Sequence, residues 1–524
     1  MYIRYYTRDG KEYANLQSSS RTTSSVSSAY KGNLGRVIDK DKGIFKNRER
    51  GYFHYDLKSG YSTVTAQEVA VAVQKTKAYP PEPPTVPDYG KEKRPLDFGD
   101  AFFLDRYLKD LHLSSIIKDL VPEDSDTVMS LVFYRILTDQ KACLHAETWW
   151  RGSYASVLFP KANLTSQHIS LLMENLGSEP VQKQFFEHYI TLLYGKNGST
   201  GILIDSTGLV NASKMQITQI SNHNGDVNLE IRLIYVIDRR NGMPIYFRYV
   251  QGNIIDISTM ITTVNELKQY DINIDYAIMD AGYFSEDNIR ELTANHVPYI
   301  SRLAPNRTLF KDMVGRNNEN IQDLMSARYA VKYGNRLVYI KQFETTLYDN
   351  RTFVYVGIDA NKHYEDSTKV MLQYLDDGLP SDEIDQQMLR LGLFVIVSSE
   401  NLKTTEVLPL YYTRQQIEQV FDVTKNYADI LPIRVENEMT FRGHLLCCFI
   451  ATIVMQKLQR AILSKRKKAD KLNPFGAFME LRNQKCRVFP KAIIPYEADK
   501  KCNEVYSMFE IEVPKIIELP STRL

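Results

Sequence analysis

The stretch Tyr411–Lys425 reads YYTRQQIEQVFDVTK. Tyr411, Arg414, Glu418 and Lys425 stand at offsets of 0, 3, 7 and 14. An α-helix turns about 100° per residue, so the four fall at roughly 0°, −60°, −20° and −40° on one wheel. A phenol, two cations and a carboxylate thus share one stripe of a predicted helix. Ile417, Val420 and Val423 fall on the other side and give it an apolar back to bury. The carboxylate can hold a divalent metal. Arg with its planar fork and Lys as a point charge can hold phosphate oxygens. A plain surface helix with an Arg–Glu pair four residues apart has the same look. Asp422 lies at roughly +20°, so the wheel alone does not choose between it and Glu418.

Two further acids turn the stripe towards chemistry. GILIDSTG ends an apolar run at Asp205, and YAIMDAGYF ends another at Asp280. Both runs are predicted buried strands stopped by glycine-containing turns. A lone acid at a strand end is usually a turn or cap residue. Two of them, with an acid on a later helix, point to three carboxylates at one sheet edge. Hard Mg²⁺ or Mn²⁺ prefers such oxygen ligands. A pair of these ions, about 4 Å apart, activates a water or hydroxyl and steadies the leaving oxygen of a phosphodiester.

From about Trp149 to His444 the sequence resembles the bacterial insertion-sequence transposases that carry a DDE triad and a Y-x-x-R-x-x-x-E-x-x-x-x-x-x-K signature. Tyr411, Arg414, Glu418 and Lys425 match that signature in type and spacing. GILIDSTGL, LIYVIDRRNGMPI, QGNIID and DAGYF are also similar to stretches of that group. The resemblance implies a ribonuclease-H-like core with Asp205, Asp280 and Glu418 as catalytic and metal-holding residues. It alone favours Glu418 over Asp422. It implies hydrolysis at transposon ends and strand transfer into target DNA, with Mg²⁺ or Mn²⁺, two ions in number. Double-stranded DNA would be the partner, as terminal inverted repeats and target, and a homodimer the form in the synaptic complex. Tyr411, Arg414 and Lys425 are expected at DNA phosphates. Other enzymes share such a fold. A structure-selective nuclease without strand transfer, and an inactive DNA-binding relative, therefore stay as alternatives. The presence of all three acids disfavours the second.

Composition sets bounds. The 524 residues suffice for two or more domains, and 43% hydrophobic and 24% charged residues are ordinary for a globular protein. The net charge of +2 is weak support for DNA binding. Residues 1–60, however, hold 12 Lys and Arg against 6 Asp and Glu, hence +6. Lys465, Arg466, Lys467, Lys468 and Lys471 form a second basic run. Such runs are often solvated surface, but both suit phosphate. The five cysteines contain no C-x-x-C pair, which leaves zinc and redox motifs unsupported. The apolar stretch through Cys447 and Cys448 is interrupted by Gln456 and Lys457 too soon to span a bilayer. The N-terminus lacks the apolar run of a signal peptide. A cytoplasmic, nucleoid-associated protein of a bacterium or archaeon, with no membrane partner, is the expectation.

The chain divides as an α/β protein. Residues 1–78 are a basic, β-containing module suited to end binding, although Ser18–Ser28 also reads as a disordered segment. Residues 79–96 are a Pro-rich linker and 97–197 a helical region. The catalytic core spans 198–303 and 407–469, with strands and helices in the order β-β-β-α-β-α-β. Residues 304–406, with RLVYIKQF, TFVYVGI and LFVIVSS, are predicted as a β-rich insertion. Residues 470–524 form a C-terminal tail with no fold predicted. Trp149 and Trp150 are expected in the core, Asp256 as a cap or supporting group, and His444 as a buried, hydrogen-bonded side chain.

Overall fold

The structure is a computed structural model. It describes the whole chain except residues 9–10, 23–24, 78–88, 90, 139–141, 197, 212–214, 222–226, 255–256, 316–323, 378–383, 385–387, 389, 427–434, 466–470 and 520–524. The Pro-rich stretch, Asp256 and, of the second basic run, Arg466, Lys467 and Lys468 therefore lie largely or wholly outside the described residues. The chain divides into two compact units, Met1–Tyr89 and Gly90–Leu524.

The first unit is an antiparallel meander. Its strands are β1 (Tyr2–Arg8), β2 (Lys11–Thr22), β3 (Ser25–Asp39), β4 (Ile44–Asn47), β5 (Gly51–Asp56) and β6 (Gly60–Thr63), hydrogen-bonded in that order. Period-two alternation sends Leu16, Leu34, Val37, Phe45, Phe53 and Tyr55 into one apolar cluster. Helix α1 (Ala66–Lys77) starts with a reciprocal cap. Thr65 Oγ1 accepts from the Glu68 N–H, and Glu68 Oε2 accepts from the Thr65 N–H. Its Ala72 packs on Ile38 and Ile44. β2 and β3 are paired as far as Thr22 and Ser25.

The second unit opens with β7 (Leu96–Asp97) and a helical layer. The layer includes α2 (Gly99–Leu108), α3 (Ser125–Leu137), α4 (Ser166–Leu176) and α5 (Glu179–Tyr194). Trp149 and Trp150 pack against this core, and Trp150 donates through Nε1 to the Phe159 carbonyl at 3.2 Å. The sheet follows: β8 (Ser199–Val210), β9 (Gln219–Ser221), β10 (Asn228–Asp238) and β11 (Pro244–Gln251), then α6 (Ile257–Lys268). β12 (Asn273–Met279), α7 (Glu286–Ala294) and β13 (Tyr299–Arg302) complete the expected β-β-β-α-β-α-β series, with the short β9 an edge addition. The spatial order is β11-β10-β8-β12-β13. β10 is antiparallel to both β11 and β8, whereas β12 is parallel to β8 and to β13. Parallel neighbours need crossovers, and α6 and α7 are of that kind.

Residues 304–406, predicted as a β-rich insertion, extend the core sheet. β14 (Ala330–Tyr333), β15 (Arg336–Leu347), β16 (Asn350–Asp359) and β17 (Leu393–Ser398) continue the same sheet beyond β13, with α8 (Ala360–Asp377) between β16 and β17. The edge of β13 is closed by β17, with Ile300 opposite Ser398. Satisfying that backbone edge is what draws the segment into the sheet. Residues 471–519, for which the sequence predicts no fold, carry further elements. After α9 (Thr404–Tyr412), α10 (Gln415–Asn426) and α11 (Glu438–Lys465) come α12 (Pro474–Arg482), β18 (Lys485–Val488), β19 (Ala492–Pro495), α13 (Lys500–Met508) and β20 (Ile517–Glu518). The strands form a small sheet ordered β20-β19-β18-β7, which ties the end of the chain back to Leu96 and Asp97. Arg482 reaches the buried Asp100 at 3.2 Å. Strands of two to four residues leave no periodicity in sequence, which is why this segment is illegible there.

α11 is long and apolar enough to cross a membrane by length and composition, but 78% of its apolar window is buried inside the protein. It packs on α3, α4 and α10. Its crossing with α4 depends on two glycines. A Cβ on Gly443 would lie 1.9 Å from the Met173 carbonyl oxygen, and one on Gly177 1.8 Å from that of Met439. Gly443→Ala is expected to cost about 1–3 kcal/mol by forcing the backbones apart. Gly315→Ala, which meets open space, serves as control. Thermal melting checks this, and equal melting of the two variants would show that the crossing re-spaces freely.

Candidate active site

Strand register brings the first two acids together. β8 and β12 run parallel with Ile204 opposite Met279, so Asp205 and Asp280 follow side by side. Adjacent strands lie about 4.8 Å apart. Asp205 sits within β8, and its Oδ1 accepts from the Ser206 N–H at 2.9 Å. Asp280 is the first residue past β12.

The third acid arrives on α10. The sequence suggests one helix through the whole stretch, and the structure divides it. α9 ends at Tyr412 and α10 begins at Gln415. The i→i−3 bonds Thr413 N to Leu410 O (3.2 Å) and Arg414 N to Tyr411 O (3.1 Å) close a turn between them. Pro409, which lacks an N–H, stands just upstream. Glu418 thereby falls in the first turn of α10, where the helix dipole favours a carboxylate. The apolar back is as the wheel indicates, with Ile417, Val420 and Val423 buried. α10 packs on β8 and β10.

One guanidinium holds the cluster. Arg414 Nη1 is 2.8 Å from Asp205 Oδ2, and Nη2 is 3.6 Å from Asp280 Oδ1 and 3.5 Å from Glu418 Oε1. Only 19% of the Arg414 side chain is exposed, against 57% of Glu418. The Arg414–Glu418 contact is thus one arm of a partly buried network and not an isolated surface pair. Burial opposes the Arg414 charge, but the carboxylates of Asp205 and Asp280 outweigh it and raise its pKa. Burial also dominates at Asp205. It pushes that carboxyl up to about 6, although Arg414 pulls the other way.

Tyr411 and Lys425 differ in what they do. The sequence places Tyr411 against a DNA phosphate; the structure buries its ring and directs its hydroxyl to Asp280 Oδ1 at 3.4 Å. Burial, then the neighbouring Asp280, raises its pKa. Lys425 Nζ donates to Thr207 Oγ1 at 2.6 Å, and burial lowers its pKa. Thr207 is a site residue that the sequence reading overlooks. Its signal is the D-x-T spacing on β8, which puts it on the same strand face as Asp205. Asp422 is exposed, and its charge bears on Lys425. Glu418 is therefore the acid of α10 that joins the cluster. His444 is drawn off elsewhere, with Nδ1 2.9 Å from Arg135 Nη2.

The donor set suits a hard divalent cation, since three carboxylates already surround one positive group. Among the described residues no three His, Cys, Asp or Glu side chains are closed into a ready metal cage. As placed, Asp205, Asp280 and Glu418 are spaced by the Arg414 guanidinium that they share.

The profile of the transposase DDE domain family matches residues 196–454. That segment, just under half of the chain, is similar to a transposase DDE domain. It covers every residue of the cluster, and it makes the protein a DNA transposase, a DNA-cleaving enzyme of a divalent-metal-dependent class. Among solved structures, the cryo-EM structure of a piggyBac transposase synaptic complex with hairpin DNA is similar at 12% identity and a TM-score of 0.39. That likeness covers 75% of this chain and 82% of that one, and is too loose to carry an argument. A search among curated proteins finds no match.

The raised Asp205 value gives the DDE domain a pH signature. The folded chain holds this proton more tightly than the unfolded chain does. Below about 4 both states are protonated and no penalty applies. As pH rises to about 6 and beyond, the folded state must bury a charge and loses up to about 3 kcal/mol. Asp205→Asn is expected to remove that part of the slope in chelator-treated protein. Melting temperatures from pH 4 to 7 test it, and parallel curves for the two proteins would contradict it.

Proposed function

We propose that this transposase serves an insertion sequence. It binds the terminal inverted repeats, cleaves at the element's ends and joins the strands to target DNA. The observation that carries this reading is the meeting of Asp205, Asp280 and Glu418 around one cation at the edge of two parallel strands. The strand order β11-β10-β8-β12-β13, with the first three antiparallel and the last three parallel, supports a ribonuclease-H-like core. Double-stranded DNA is the substrate, a homodimer the form that pairs two ends, and the cytoplasmic nucleoid the place.

Asp205, Asp280 and Glu418 would hold Mg²⁺ or Mn²⁺. Two such ions supply an activated water or hydroxyl and a stabilised leaving oxygen when bound. Tyr411 keeps Asp280 turned towards the site. Arg414 provides a planar fork that fits phosphate as well as it fits carboxylate. Lys425, beside Thr207, offers a point charge on the same side of β8. Such phosphate contacts position DNA and carry no sequence information.

Asp205→Asn, Asp280→Asn and Glu418→Gln are each expected to abolish Mg²⁺-dependent cleavage in single-turnover assays while DNA binding persists. Asp422→Asn is expected to cleave normally. A dead Asp422→Asn enzyme beside an active Glu418→Gln enzyme would reverse the assignment on α10. Products with a joined strand, on a duplex carrying the element's ends, separate a transposase from a nuclease that only cuts.

Arg414→Ala is expected to slow cleavage and to lower the melting temperature, since the acids lose their shared partner. Arg414→Lys should rescue in part, because a point charge replaces a fork. Wild-type rates and melting in Arg414→Ala would return the cluster to ordinary surface electrostatics.

A further inference from the structure

The N-terminal meander sorts its charges between two faces. Cross-strand register runs Tyr6 to Tyr13, Tyr13 to Arg36, Arg36 to Lys46 and Lys46 to Tyr52. Directly paired residues point to the same side of a sheet. These five side chains therefore make one row across β1–β5. Arg4, opposite Asn15, and Lys11, in the row beyond, lie on that same side by alternation. Arg4, Lys11, Arg36 and Lys46 are all exposed.

The acids of the unit are otherwise engaged. Glu12 alternates to the opposite side and pairs with Lys40 at 2.9 Å, and Lys40 lies over the ring of Tyr5. Asp39 and Asp56 accept backbone N–H groups in turns. Asp41 and Glu49 sit in turns between strands. Asp56 and Asp39 fall on the row's side at its far end, by alternation with Tyr52 and by pairing with Ile44, but both carboxylates are taken up by turn N–H groups; the Tyr6, Tyr13 and Arg36 end carries cations alone among the described residues of β1–β5. The aromatics there are ordered. Tyr6 and Tyr13 stack with centroids 5.9 Å apart, and Lys46 Nζ lies 4.4 Å over the Tyr52 ring.

We propose that this face grips the sugar-phosphate backbone of duplex DNA, independently of sequence. The inference rests on the transposase reading and names the surface that supplies general affinity. Charge complementarity selects the partner, since a one-sided row of cations attracts a polyanion. Width selects the mode. Five strands at about 4.8 Å spacing span roughly 19 Å. The major groove is only about 12 Å wide, so the row lies across the backbones and does not enter between them. The tyrosines supply flat ground and hydroxyl donors for phosphate and sugar. α1 covers only the part near Ile38 and Ile44, which leaves the Tyr6, Tyr13 and Arg36 end open.

The test uses the full-length protein, a duplex of the element's own terminal sequence and a random-sequence duplex. Gel-shift titrations at several salt concentrations compare wild type with Arg36→Ala/Lys46→Ala, and with Lys58→Ala in the distal turn as control. The double variant is expected to weaken binding to both duplexes by the same factor. Its slope of log affinity against log salt should fall by about two, at about one per cation removed. Its melting should match wild type, because both side chains are exposed. Unchanged slopes beside a binding wild type would overturn this face and leave the transposase reading standing. A loss confined to the terminal sequence would overturn the backbone mode. A wild type that binds neither duplex would overturn both this proposal and the reading it rests on.

Discussion

Three carboxylates converge in this protein because one guanidinium sits among them. Without Arg414, Asp205 and Asp280 would face each other across neighbouring strands with only the neutral Ser206 N–H and Tyr411 hydroxyl donating to them among the described residues. With it, a partly buried charge cluster is tolerated: the fork bonds Asp205 closely and reaches Asp280 and Glu418 at longer range. The asymmetry is informative. The shortest contact goes to the most buried acid, which has lost most water, and the longest reach goes to groups that solvent still helps. A cluster of this kind is strongly coupled, so its members act as a unit and their individual contributions do not add.

The scaffold serves that convergence. The parallel register of β8 and β12 puts the two aspartates level, and a slip of one residue would send one of them to the other face. α10 adds Glu418 from above, held by a buried apolar back and by Thr424, whose hydroxyl meets Thr452 on α11 at 3.1 Å. α11 is in turn fixed to α4 through the Gly177–Gly443 crossing. The position of a surface carboxylate is thus set by packing deep inside the helical layer.

Much of the site was readable because each of its parts has a local signal. Apolar runs ended by an acid mark Asp205 and Asp280, and spacing puts Arg414 and Lys425 on one stripe with an acid, although only the family resemblance picks Glu418 over Asp422. The core order from β8 to β13 is legible for the same reason, since strands and helices alternate with clear punctuation. What failed to show in sequence is non-local. No pattern within residues 330–398 says that β17 will pair with β13, because that depends on an edge far upstream. The break at Thr413–Arg414 is hidden because i→i−3 and i→i−4 bonding leave the same side-chain pattern over so short a stretch. The second partner of Lys425, Thr207, lies 218 residues away. The burial of Tyr411 likewise follows from its place beside Asp280 and not from its own helix.

The sheet order also governs the protein's birth. Chains emerge from the ribosome N-terminus first, at about 5–20 residues per second. β13 is complete at Arg302, but the strand that covers its edge ends at Ser398. Arg414 follows later still. For several seconds the nascent chain carries an uncovered strand edge and two aspartates without their cation. The acids from both sides of the sheet extension meet only when α10 has been made. A growing chain therefore holds no assembled DNA-cutting centre, and the same delay makes the unfinished sheet the stage at which the protein is most exposed to misassembly.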